Sequence, residues 1–388
     1  MSPLDLALAA TSGAIVNVWG GILIAQSVAV RQGRLLTPVE PAGEAEAVTV
    51  VLAVRDEAAT LAACAGRLLT QRGVSLRLVV VDDRSADATP QILADLAQRD
   101  DRVTPRRVDV LPGGWLAKSH ALHIGAGDAT DGWLLFVDAD CELEPTAIAT
   151  AIKAAKDRRL DLVTLWPRNA AVGFWEHLLI PMCAAVIALW FGLVPERRRP
   201  AFGNGQFLLV RRDAYVRAGG HAAVRDALIE DVPLAGAVRR AGGRCDAFGG
   251  AAIVGVRMYD GLAAIADGWS RIYVGALRSP AKLALSAAWL LVGNLMPFVL
   301  LPWFAWRGEP LLAVAALSHL VLMLVVSWRF WGMGKCRRRY LLLYPLAVTI
   351  TLAIVVRAWW RLVIRRRVIW RRTAYQIDGR ARVIGVEA

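Results

Sequence analysis

Apolar residues fall into two patterns along this chain. At both ends they form long runs nearly free of charge. Between the ends they form short runs, separated by polar segments with helical spacing. The first long run, Leu6 to Val30, is followed by Arg31 and Arg34. It spans about 25 residues, and roughly 20 helical residues cross a ~30 Å hydrocarbon core. It reads as an uncleaved anchor. A cleaved signal peptide is the rival, weakened because Asp5 is the only early charge where a basic segment would be needed.

After a linker with Pro38, Pro41 and Gly43, the pattern changes. Val48–Val54, Leu76–Val81, Trp133–Val137 and Leu160–Leu165 are continuous apolar runs of strand length. Ala58–Thr70, Asp87–Gln98 and Thr146–Ala155 read as helices between them. Strands apolar on both faces, alternating with helices, predict an α/β fold with a mostly parallel sheet covered on each side. In such sheets ligands bind outside the carboxyl ends of the strands.

Phe174–Val194 is apolar but interrupted by Glu176, His177 and Pro181, and is expected to form an amphipathic helix at a membrane surface. Three more apolar stretches follow: Leu283–Trp306, Leu311–Trp328 and Leu341–Val356. Their tryptophans suit membrane interfaces. If Arg31 and Arg34 hold the α/β region in the cytoplasm, three full crossings would export a tail rich in arginine, including Arg371 and Arg372. That opposes the positive-inside bias. One stretch is therefore expected to be re-entrant or interfacial, and Leu283–Trp306, with Pro297 and Pro302, is the first suspect. The division is an anchor at 1–30, a linker at 31–47, an α/β domain at 48–280 with an interfacial helix near 173–194, membrane segments at 281–365 and a basic tail at 366–388.

Composition sharpens this picture. Hydrophobic residues make up 56% of the 388 positions, against about 45–50% in ordinary soluble domains. The formal net charge is +13. The basic residues cluster beside apolar runs, as in Lys335–Arg339 and Arg365–Arg367, which favours a membrane over nucleic acid. The five cysteines are dispersed with no CxxC pair, so neither a disulfide framework nor a zinc site is indicated.

Three acidic clusters carry the candidate chemistry. Val80-Val81 runs into Asp82-Asp83-Arg84-Ser85, and Ser85 or Asp87 could also be a plain helix cap. Leu134–Val137 ends in Asp138-Ala139-Asp140, where two crowded carboxylates call for a cation such as a divalent hard metal binding a diphosphate. Glu230-Asp231 precedes a helix with Pro233 in its first turn. Asp231 is a candidate N-cap and a candidate general base.

Taken together, the segments from about Val48 to Ala276 resemble the inverting family 2 glycosyltransferases with a GT-A fold. Val54-Arg55-Asp56-Glu57 resembles that family's opening segment, with Asp56 where asparagine is usual. Asp82 and Asp83 match its nucleotide-binding acids. Lys118-Ser119-His120-Ala121-Leu122-His123-Ile124-Gly125 resembles its donor-positioning segment, with Ala117 and His123 replacing glycine and asparagine. Asp138 and Asp140 match its metal motif, and Glu230-Asp231 its catalytic pair. Gly203-Asn204-Gly205-Gln206 and Gly219-Gly220-His221 resemble the branch acting on lipid or isoprenoid acceptors, including hopanoid-associated, carotenoid-modifying and ceramide-type enzymes. The tail Trp370–Tyr375 resembles that branch's closing segment without its glycine. The Gln-x-x-Arg-Trp motif of processive synthases is missing, although Trp269 and Arg271 occupy that region near the diphosphate or acceptor.

The resemblance implies transfer of a single sugar from a nucleotide-diphosphate sugar, UDP by expectation, to a lipid or isoprenoid hydroxyl. It implies Mg²⁺ or Mn²⁺ as cofactor, no nucleic-acid partner, and a plasma-membrane enzyme with its catalytic domain in the cytoplasm. Asp231 would be the base with Glu230 beside it. Asp56, Glu57, Asp82, Asp83, Lys118 and Asp138 would bind the donor, and Asp140 with Asp138 the metal. Asn204, Gln206, His221, Trp269 and Arg271 would lie toward acceptor or diphosphate. His221 is equally readable as a turn residue, and His319 as a helix-packing one. The alternatives are transfer to a polyprenyl phosphate, a non-catalytic nucleotide-sugar-binding protein and, less favoured, a transporter, which should carry paired ionisable groups within its apolar stretches.

Overall fold

A computed structural model describes residues 3–130, 132–192, 200–370 and 373–387; Val194, Arg371 and Arg372 lie outside them. The chain opens with helix α1 (Pro3–Arg31), then strand β1 (Glu46–Val54), α2 (Leu61–Leu69), β2 (Val74–Asp83), α3 (Thr89–Arg99), β3 (Val103–Val108), α4 (Ala117–Gly127) and β4 (Trp133–Val137). There follow β5 (Cys141–Leu143), α5 (Ala147–Asp157), β6 (Leu162–Trp166), β7 (Arg168–Asn169), α6 (Phe174–Phe191), β8 (Leu208–Arg211), α7 (Arg212–Arg217), α8 (Asp231–Arg240), β9 (Cys245–Gly249) and β10 (Val254–Val256).

Among the described residues a seven-stranded sheet runs β3-β2-β1-β4-β8-β6-β9. All neighbours are parallel except β8, which is antiparallel to β4 and β6. The apolar runs are continuous because both faces are covered. Val48, Val50 and Leu52 point into one core with Leu61, Leu68 and Ile148, whereas Val51 faces a second core with Leu122 and Ala126. A small sheet, β5-β10-β7, flanks the main one. The linker is tied down. Arg34, 1% exposed, grips Asp246 of β9 at 2.6 and 3.0 Å, and Leu36 donates its amide to Gly249.

The second half is helical: α9 (Gly261–Leu277), α10 (Pro280–Ala288), a π-helical segment Trp289–Leu295, α11 (Met296–Trp306), α12 (Pro310–Met333), a 3₁₀ segment Arg338–Leu343, and α13 (Tyr344–Trp360). Among the described residues, five helical stretches are long and apolar enough to cross a membrane: Asp5–Arg31, Phe174–Phe191, Pro280–Trp306, Pro310–Met333 and Arg338–Arg365.

Two expectations are corrected here. Pro280–Trp306 does not turn back at its prolines, because a π-helical segment carries the helix through. Pro297 has no N–H to offer the carbonyl of Gly293. That carbonyl instead accepts Trp19 Nε1 of α1 at 3.1 Å and His319 Nε2 of α12 at 3.0 Å. The proline thus creates an acceptor that joins three helices, and His319 is a packing residue. At the far end of α11, Arg307 pairs with buried Asp5 at 2.8 Å.

The last stretch, Arg338–Arg365, is tied to the α/β domain near both ends and to the other apolar helices between them, where the Tyr344 hydroxyl donates to Asn294 Oδ1 at 2.6 Å. Tyr340, at its start, lies against Phe174 and His177 of α6. Arg357 and Arg361, near its end, reach Asp267 of α9. Beyond it, strands β11 (Arg367–Trp370), β12 (Thr373–Ile377) and β13 (Val383–Glu387) return to the α/β domain, where Val383 donates to Asp226 at 2.8 Å. Nor is α6 amphipathic. It is apolar around its circumference and largely buried, with Cys183 at its middle accepting Tyr273 of α9 through its carbonyl.

Candidate active site

Strands β1, β2 and β4 run parallel in a register that pairs Val54 with Asp82 and Leu52 with Val137. Their carboxyl ends therefore share one edge, and the acids following each strand gather there. The edge opens onto a cavity of about 710 Å³ lined by Glu57, Asp83, Lys118, Asp138, Asp140 and Asp231.

Lys118, in the first turn of α4, is the hub. Its Nζ lies 2.7 Å from Asp138 Oδ1 and 2.8 Å from Glu230 Oε1. Burial alone would lower its pKa, but the two carboxylates outweigh burial and raise it, so it stays charged. Burial likewise pushes against ionised Glu230, yet Lys118 holds that carboxyl below its ordinary value. The cation thus binds the metal-motif segment to the Glu-Asp pair.

Asp231 is placed otherwise. Its Oδ2 accepts the Gly205 amide at 2.8 Å and its Oδ1 accepts its own helix's Val232 amide at 2.7 Å. Burial and the adjacent Glu230 push its pKa up to about 7, against the pull of Lys118. It is the first residue of α8, and the N-cap position is Glu230, whose side chain caps nothing. The close approach needs glycine: a Cβ on Gly203 would lie 2.2 Å from the Asp231 carbonyl oxygen, and one on Gly205 would meet Lys118 Nζ at 3.1 Å.

Asp140 has no lysine or arginine partner among the described residues, and burial and then Asp138 push its pKa up to about 7. The adjacent thiols are no rivals as donors, since burial raises Cys64 to about 12 and Cys141 well above its ordinary value. Two crowded carboxylates facing a cavity, with no protonatable soft ligand, suit a hard divalent cation. No cluster of three or more protein ligands stands among the described residues. Other positions on such an ion would fall to substrate oxygens and water.

Several candidate residues turn out to serve the loops instead. Asp56 sits in the left-handed region (φ 53°), accepts the Ala86 amide at 2.8 Å and donates its own amide to Ser85 Oγ. Asparagine and aspartate tolerate that conformation, so the replacement keeps the turn. Asp82 points to the opposite side of β2 from Asp83, accepting Ser85 N and Arg107 Nη1. Asp87 Oδ1 accepts the Thr89 amide at 2.9 Å in the first turn of α3, whose backbone N-cap position is Ala88, and Ser85 takes no part in that cap. His221 does not line an acceptor pocket. It is 1% exposed, bonded to the Tyr215 hydroxyl at 2.9 Å and edge-on to Phe136. Burial pushes it down to about 3, so it stays neutral.

Asn204, Gln206, Trp269 and Arg271 all reach the cavity. Asn204 braces its loop, donating to the Leu165 carbonyl and to Gln206 Oε1. Away from the acids the wall is apolar: Ile180, Ala184 and Ile187 of α6, Phe202, and Met333 at the end of α12. Phe202 stacks on Trp166 at 4.6 Å. Trp166 and Phe202 were not singled out by sequence reasoning, and no local signal marks them. Tyr375 and Thr373 of β12 also line the cavity. The tail motif drew attention to Tyr375 without indicating where it goes.

Residues 49–231 match the family model described as glycosyl transferase family 2. The chain is 24% identical over 259 residues to the 4,4'-diaponeurosporenoate glycosyltransferase of Staphylococcus haemolyticus, covering 65% of this chain and 68% of that one. It is 29% identical over 194 residues to a beta-monoglucosyldiacylglycerol synthase of Trichormus variabilis, covering 47% of this chain and 39% of that one. The mannosyltransferase of Pyrobaculum calidifontis, solved with GDP-Man and Mn²⁺, shares the fold with a TM-score of 0.53 at 18% identity, covering 91% of this chain and 99% of that one.

Proposed function

We propose, from the premise that this chain carries a glycosyl transferase family 2 domain, that it moves one sugar from a nucleotide-diphosphate donor to the hydroxyl of a membrane lipid or isoprenoid. The observation that carries the acceptor class is the continuity of the cavity. The same space touches Asp231 and the apolar residues Ile180, Ala184 and Ile187 of α6. A water-soluble sugar acceptor would leave that apolar wall unused, whereas an acyl or isoprenoid chain would cover it.

In this reading the donor lies over Glu57 and Asp83 at the strand ends. Asp140 and Asp138 would hold Mg²⁺ or Mn²⁺, which when bound neutralises charge on the diphosphate. Lys118 keeps Glu230 ionised and holds both Glu230 and Asp138 in place. Asp231, oriented by the Gly205 amide, takes the proton of the acceptor hydroxyl as that oxygen attacks the anomeric carbon from the face opposite the leaving group. A carboxyl pushed up to about 7 suits that role. A phosphate acceptor would need no such base. The lack of the processive motif supports a single transfer, and we expect UDP as the nucleotide.

For the membrane, we propose that α1, Pro280–Trp306 and Pro310–Met333 cross, with the α/β domain and the C-terminal strands together on the cytoplasmic side of the plasma membrane. Arg338–Arg365 and α6 would lie at the surface. The parity then agrees with the positive-inside bias. The deciding experiment is a donor screen on detergent-purified full chain with extracted membrane lipids, following nucleotide release with Mg²⁺, with Mn²⁺ and with chelator. Release that requires lipid and metal and is lost in Asp140→Ala is the expected result. Donor binding without release under every condition would overturn it.

A further inference from the structure

A smaller cavity of about 200 Å³ lies beside the cleft, between the start of α6 and the turn that follows α12. Arg168, Lys335 and Arg337 line it, together with Asn169 and His177. The turn is fixed: Lys335 takes the left-handed conformation (φ 53°), its amide donates to Gly332, and the Cys336 amide donates to Trp331 at 2.8 Å. This paired helix ending satisfies the last carbonyls of α12 and sets the basic residues at the cavity mouth.

The charges there are poorly balanced. The nearest acid to Arg168 is Glu142, at 3.9 Å. Glu176, next to His177, is taken up by Arg257 and the amides of Val172 and Gly173. Lys335 and Arg337 pair with no acid among the described residues. Among the residues lining the cavity, His177 is only 7% exposed, and its Nε2 is buried with no hydrogen-bond partner among the described residues. Buried polar atoms are almost always satisfied, so an unpartnered imidazole nitrogen on a residue that lines a cationic cavity points to a ligand there. Asn169 Oδ1 is also buried and has no partner among the described residues.

We propose that Arg168, Lys335, Arg337 and the Nε2–H of His177 bind the phosphate of an anionic phospholipid headgroup. The inference does not rest on the sugar-transfer reading. The lipid source follows from position. Lys335 and Arg337 directly follow α12, which is long and apolar enough to cross a bilayer, and the ring of Tyr340 stacks near His177 at 5.0 Å. Basic pockets at the cytoplasmic ends of such helices meet headgroup phosphates. Asn169 Oδ1 can only accept a hydrogen bond, which a phosphate diester cannot donate. A headgroup hydroxyl, as in a glycerol headgroup, can.

The test uses the full chain in detergent and three probes: dioctanoyl phosphatidylglycerol, dioctanoyl phosphatidylcholine and inorganic phosphate, titrated by calorimetry. Phosphatidylglycerol is expected to bind best, and the exposed double variant Lys335→Gln/Arg337→Gln to weaken it about thirtyfold, from two surface cations. His177→Gln, at unchanged Tm without lipid, should weaken it too. Equal affinity for phosphatidylcholine, or undiminished binding by the double variant, overturns the site. Inorganic phosphate binding as tightly as phosphatidylglycerol overturns the lipid assignment in favour of a free anion.

Discussion

The Gly205 amide donates to Asp231 Oδ2 at 2.8 Å, which fixes the orientation of a carboxylate that Lys118 does not touch. One carboxyl of the Glu-Asp pair is thereby held charged by a lysine, and its neighbour is held in place by backbone while remaining easy to protonate. Asp231→Asn preserves shape but removes the base. Nucleotide release is expected to fall by about 10²–10⁴-fold, while donor binding measured by calorimetry stays within a few-fold. Near-normal turnover would exclude Asp231 as base.

Raising the Asp231 pKa to about 7 predicts a pH profile. The base works only when deprotonated, so kcat/KM should rise tenfold per pH unit below about 7 and level off above it. The apparent value belongs to the coupled acids as a group. A profile flat from pH 5.5 to 8 would contradict the assignment.

Removing the hub should be costly. Lys118→Met leaves Asp138 and Glu230 facing each other without their shared cation. Breaking a largely buried pair costs about 3 kcal/mol. Denaturant unfolding should show that loss, and the double variant Lys118→Met/Glu230→Gln should recover part of it. Full stability in the single variant would mean the ion pairs are solvated.

Gly203→Ala places a methyl 2.2 Å from the Asp231 carbonyl oxygen, a backbone atom that cannot rotate away. Overpacking of this kind costs about 1–3 kcal/mol. A reduced kcat and a lowered Tm are expected together. Gly113→Ala, with nothing within 4 Å of the added methyl, is the matched control and should change neither.

Topology can be read by labelling. The C-terminal strands pack on the α/β domain, so Gly379→Cys and Gly113→Cys should react with a membrane-impermeant maleimide from the same side, and Gly308→Cys from the opposite side. The five native cysteines are buried or half-buried and give a low background. Labelling of Gly379→Cys together with Gly308→Cys would mean that Arg338–Arg365 crosses.

Much of this protein was legible in the order of its residues. Two-sided burial writes a strand as an unbroken apolar run, so Trp133–Val137 was readable to the residue and β1, β2 and β6 to within two. Acids following such runs had to meet at one edge, because parallel strands put all their carboxyl ends together. The membrane segments were visible by length and composition. Local sequence could not say which side of a strand end a carboxylate takes. Asp82 and Asp83 are chemically alike, yet alternation along β2 turns one to Arg107 and the other to the cleft. It could not show that Lys118 would join acids 20 and 112 positions away, a link made only by the packing of α4 against the sheet. Nor could it tell a crossing helix from one lying along the domain. Apolarity fixes only that a surface leaves water, and bilayer or protein can receive it equally well. For the last apolar stretch the partners are α6 and α9 on one hand and α10 with the segment Trp289–Leu295 on the other, tertiary contacts between residues far apart in the chain.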